Sequence, residues 1–89
     1  MIRMKIKDTF LVHEAGNETM LVPTGGASFS GVVRGNQTLG AILGLLKAET
    51  TEEEIVTELC KRYEVTRDVV ERDVKQALET LRRIDALDE

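Results

Sequence analysis

Eighty-nine residues leave room for one domain with one hydrophobic core, and little room for a deep catalytic pocket. With 42% hydrophobic and 31% charged residues the chain reads as folded, and its net charge of −4 argues against a general nucleic-acid binder, whose affinity rests on neutralised phosphates. A single cysteine excludes an internal disulfide and fits a reducing cytoplasm; residues 1–5 carry no long apolar run, so neither a signal peptide nor a membrane span is expected.

Glycine and proline punctuate the first part of the chain: Gly16, Gly25, Gly26, Gly31, Gly35 and the only proline, Pro23, all precede residue 36. Residues 9–13, rich in β-branched and aromatic side chains, predict a strand, and Ala15, Gly16 and Asn17 supply turn chemistry. Residues 19–22 predict a second strand, stopped by Pro23, which cannot donate to a ladder. Gly25 and Gly26 make the next turn, and residues 29–34 predict a third strand. Each connection is too short for a crossover, so the strands, at about 9–35, form an antiparallel meander.

Three helical patterns follow, between about 37 and 87. Leu39, Ile42, Leu43 and Leu46 recur at i, i+3, i+4 and i+7, with Asn36 or Thr38 as the cap. Thr51 and Glu54 have the spacing of a capping box, in which the Glu54 carboxylate reaches back to the Thr51 backbone. The helix they open is expected to bury Ile55, Leu59 and Tyr63, with Val56 and Cys60 beside them. Thr66 and Asp68 start a third helix, whose apolar stripe is Val70, Val74, Ala77, Leu78 and Leu81. Residues 1–89 thus predict a single α+β domain, a winged helix-turn-helix in which a three-stranded antiparallel sheet is followed by three helices.

No catalytic, metal or cofactor site emerges. Gly35 and Gly40 have the spacing that opens a phosphate loop, but no Lys-Ser/Thr pair follows. His13 and Cys60 stand alone, whereas a zinc site needs about four ligands. The acids Glu52, Glu53 and Glu54 suit a helix N-terminus and need no catalytic explanation. A helix-turn-helix invites a DNA reading, but residues 67–89 hold five basic side chains against seven acidic ones, and a recognition helix needs a positive surround.

The helical half resembles the PqqD family, within the wider group of RiPP recognition elements. The matching residues are Asn36, Gln37 and Thr38 with Gly40, Ile42, Leu43, Leu45 and Leu46; Thr51, Glu53, Glu54, Ile55, Val56 and Leu59; Tyr63, Glu64 and Val65; and Asp73, Val74, Ala77, Leu78, Leu81, Ala86 and Leu87. The chain departs from the pattern at Gly35, where the family has a hydrophobic residue, and at Asp85, where it has glycine. The resemblance implies a non-catalytic domain that binds the leader of a ribosomally made precursor peptide between the third strand and the third helix. The leader would add as a further strand, and a radical SAM or other tailoring enzyme would then modify the captured peptide.

Carried onto this sequence, the peptide-binding strand is Phe29, Ser30, Gly31, Val32, Val33 and Arg34, either face of which could meet the guest. The groove floor is expected at Val70, Val74 and Leu78, with Ala77, and a charged rim at Arg67, Glu71 and Lys75. An exposed edge strand can template a foreign strand or pair with a copy of itself in a homodimer. The alternatives are a winged-helix DNA-binding regulator and an adaptor subunit that docks on an enzyme. The expected partners are peptide and enzyme, with no nucleic acid, no membrane and no cofactor.

Overall fold

A computed structural model describes residues 2–16, 18–26 and 31–89. In chain order the elements are β1 (Arg3–Ile6), β2 (Phe10–Ala15), β3 (Glu18–Pro23), β4 (Val33–Gly35), α1 (Gln37–Leu45), β5 (Thr50–Thr51), α2 (Glu52–Arg62), α3 (Arg67–Arg83) and β6 (Leu87–Asp88). They form the expected winged helix-turn-helix of meander and helical trio, and add a second small sheet.

The meander is antiparallel in the order β2-β3-β4. Ala15 pairs with Glu18 across a two-residue connection that begins at Gly16, whose φ of 61° suits a residue without Cβ. The third strand is shorter than expected. Phe29 and Ser30 lie outside the described residues, and Gly31 and Val32 precede the ladder rather than joining it. Gly31 takes φ 132°, far from extended geometry, and Val32 is half exposed, so among the described residues pairing starts at Val33. Val33 stands opposite the fully buried Leu21, which turns its side chain toward the core and settles the parity of the strand.

Asn36 caps α1: the Leu39 N–H donates to its Oδ1 at 3.1 Å. Thr51 caps α2, its hydroxyl accepting from the Glu54 N–H at 3.1 Å. The Glu54 carboxylate accepts from the Thr50 hydroxyl at 2.8 Å, so the expected return bond to Thr51 is replaced by one to its neighbour. Thr66 precedes α3 without a side-chain capping bond. The helices bury Leu43, Leu46, Ile55, Leu59, Val74 and Leu78 in one core with Leu21 of the sheet. Tyr63, expected inside, is 36% exposed, because α2 ends one residue earlier and the backbone turns extended there.

The added sheet has the order β5-β1-β6. β1 pairs with β5 through Arg3 and Met4 and with β6 through Lys5 and Ile6, so the N-terminal segment lies between the entry to α2 and the end of the chain. Met4 is buried and Arg3 reaches Glu49 at 2.8 Å. Asp85 turns the chain from α3 into β6 at φ 60°, the left-handed geometry for which the family uses glycine. The Ala86 N–H donates to the Leu81 carbonyl at 2.8 Å and the Asp85 N–H to that of Arg82 at 3.1 Å, a Schellman pair. The Asp85 carboxylate accepts from Lys7 at 2.7 Å, which ties this turn to the end of β1.

Two glycines one turn apart in α1 have opposite roles. A Cβ on Gly40 would collide with the hydroxyl of the buried Thr19 on β3, whereas one on Gly44 would meet nothing within 4 Å. Gly40→Ala is therefore expected to destabilise the fold by about 1–3 kcal/mol through overpacking. Gly44→Ala should stabilise it by about 0.5–1 kcal/mol through helix propensity. Urea unfolding of the two variants checks the opposite signs.

Candidate functional site

β4 is bonded to β3 along one edge only, and among the described residues no strand pairs its other edge. In an antiparallel ladder alternate residues turn both N–H and C=O away from the partner, so this edge carries unpaired backbone groups. Alongside it runs a groove of about 530 Å³. Val33 and Arg34 of β4 form one wall. Asp73, Gln76, Ala77, Glu79, Thr80, Leu81 and Arg83 of α3 form the other, and Asn36, Thr38, Leu39 and Ile42 close the end at the start of α1. Gly35 lets α1 begin this close to the strand, since a Cβ there would lie 2.8 Å from the Leu39 Cβ.

A depression of about 520 Å³ lies elsewhere, between Glu14 of β2, Gly40 and Gly44 of α1, and Tyr63. Size therefore does not choose between them. The first groove is distinguished by its free strand edge, which supplies directional hydrogen bonding, together with an apolar floor from Val33, Leu39 and Ala77. Strand pairing along one wall and side-chain contacts on the other are what an extended peptide needs.

The expected site residues divide. Val33 and Arg34 line the groove, and Ala77 forms part of its floor. Val70, Val74 and Leu78 do not: they are 6%, 0% and 0% exposed and pack into the core. Glu71 and Lys75 face away, bordering a shallow depression with Asp68, Arg72 and Glu79, while Arg67 pairs with Glu71 at 3.8 Å. Helix geometry explains this. At roughly 100° per residue, Asp73, Ala77 and Thr80 fall about 60–120° to one side of Val74, and Glu71 and Lys75 about 60–100° to the other. The groove side was missed because the stripe alone does not say which flank meets the sheet. Ala77, a small side chain flanking the stripe of larger ones, was the available signal.

Among the described residues, no three His, Cys, Asp or Glu side chains converge as a metal site requires, and no helix is long and apolar enough to cross a membrane. His13 is exposed on β2, and Cys60 is half-buried on α2.

The fold and groove define a winged helix-turn-helix domain with a free strand edge facing a helix. The family model for coenzyme PQQ synthesis protein D (PqqD) matches residues 9–87, and the chain belongs to the PqqD family. Among solved structures it is similar to TbiB1 in complex with the TbiA(beta) leader peptide, at 27% identity, a TM-score of 0.78 and 94% coverage of each chain. No curated protein sequence matches it.

Leu78 and Ala77 are neighbours in sequence with different surroundings. Leu78→Ala should cost about 3 kcal/mol of stability, as expected for a cavity in a well-packed core. A thermal or urea melt beside Glu71→Ala, expected within about 0.5 kcal/mol of the parent, tests the assignment of Leu78 to the core.

Proposed function

We propose that this protein is a non-catalytic RiPP recognition element, which binds the leader of a ribosomally made precursor peptide and presents it to a modifying enzyme. The carrying observation is the edge of β4, paired by no other strand among the described residues, running beside α3 with a groove between them. Family membership supports the reading, as does likeness to a chain whose structure holds a leader peptide. The leader adds to β4 as a further strand. Its backbone pairs with the outward groups of β4, and alternate side chains enter the groove against Val33, Leu39 and Ala77.

The contact set we propose is Val33 and Arg34 from β4, Leu39 from α1, and Asp73, Ala77, Thr80 and Arg83 from α3. The partner enzyme, a radical SAM or other tailoring enzyme, acts on the core of the captured precursor. A reducing cytoplasm suits the unpaired Cys60. The DNA reading gains nothing from the outer face of α3, where Asp68, Glu71 and Glu79 interleave with Arg72 and Lys75.

Titration of ¹⁵N-labelled protein with a precursor peptide encoded beside this chain tests the reading. Amides of residues 31–35 and 73–83 should shift. Ala77→Trp, which fills the groove, should weaken binding about tenfold or more, a loss of about 1.4 kcal/mol or more. Lys75→Trp, on the other flank, should leave it unchanged. Silence of both amide groups with every neighbouring precursor would remove the proposal.

A further inference from the structure

Two charges face the groove near opposite ends of its helical wall. Asp73 and Arg83 both line it, both are exposed, and among the described residues neither has an ion-pair partner. The other charges of the groove are differently placed. Arg34 is answered by Glu18 at 3.7 Å, and Glu79, four residues before Arg83, is shared between the groove and the depression on the outer side of α3. Asp73 and Arg83 are ten residues apart, which is about 15 Å along a helix axis at about 1.5 Å per residue. An extended guest covers that length in about four to five residues at about 3.3 Å each. Its side chains alternate between faces, so the groove meets every second one. The matching guest positions are therefore i and i+4, with i+2 over Ala77 between them.

We infer that Asp73 and Arg83 set the register and direction of the bound peptide, selecting a segment with a basic residue and an acidic residue four positions apart and an apolar residue midway. This rests on the strand-addition reading above and specifies its substrate. Backbone pairing alone tolerates a two-residue slip, because the outward groups of a strand repeat every second residue. The two charges break that degeneracy. A slip removes at least one charge from its partner, and a reversed guest places like charges together.

Three fluorescein-labelled peptides share the frame Thr-Val-X-Thr-Leu-Val-Z-Thr, with X and Z as Lys and Glu, Glu and Lys, or Gln and Gln. Anisotropy titrations against the whole chain at low salt should rank one charged order about fivefold tighter than the neutral peptide and the other weaker, converging at about 1 M salt. The double charge reversal Asp73→Lys with Arg83→Glu should invert the order. Asp73→Asn with Arg83→Gln should abolish the preference between the two charged orders, and thermal melts should confirm that both double variants fold. Equal affinities for the three peptides, with amides 31–35 shifting, would overturn the inference and leave the strand-addition reading standing. Absence of any shift at 31–35 with all three peptides would overturn both.

Discussion

Among the described residues β4 has a neighbour on one side only, and the rest of the site follows from that. A backbone polar group without a partner is costly once water is removed, so a free edge persists only where solvent or a guest can reach it. Here the edge stays accessible because α3 is held back from it. Val74 and Leu78 bury their side chains in the core, which fixes how closely the helix approaches the sheet. Ala77, on the flank that meets β4, is too small to bridge the remaining space. The position of one short strand and the size of one side chain leave the groove open.

The position of α3 is itself secured from the far end of the chain. The turn after it is closed by Schellman bonds, and Lys7 grips the carboxylate of Asp85. β6 then pairs with β1, and the Ile6 N–H donates to the Leu46 carbonyl at 2.9 Å, where α1 ends. The N-terminal strand thus links the ends of α1 and α3, the two helices that bound the groove with β4. A small domain has little core with which to hold a wall in place, and a ladder that joins its termini supplies a constraint that side-chain packing alone would not.

The chain made some of this legible. Turn chemistry at Gly16, apolar spacing from Leu39 to Leu46, and the Thr51 cap each act over a few residues, and each was read from neighbours in sequence. β5 and β6, of two residues apiece, were invisible because they exist only by pairing with β1, and a dipeptide has no periodicity to detect. β1 itself had a weak signal in the alternation of Arg3, Met4, Lys5 and Ile6, which a search for signal peptides passes over. The groove wall was half legible. The stripe of α3 was correct, but which flank faces β4 depends on the handedness of tertiary packing, and no local pattern encodes it. The late start of β4 likewise depends on Gly31, whose freedom allows a strand or a break equally well.

A groove built this way divides recognition between two kinds of contact. Hydrogen bonds along the β4 edge depend on backbone alone and accept almost any sequence lacking proline, so they favour an extended chain without identifying it. Discrimination must then come from the few side chains that the groove offers: a small apolar floor and a handful of polar groups. Such a surface suits a domain that holds an extended peptide by its backbone and samples a few of its side chains. Among the described residues no strand fills the β4 edge, and an edge left open in this way is what pairing with an extended chain requires.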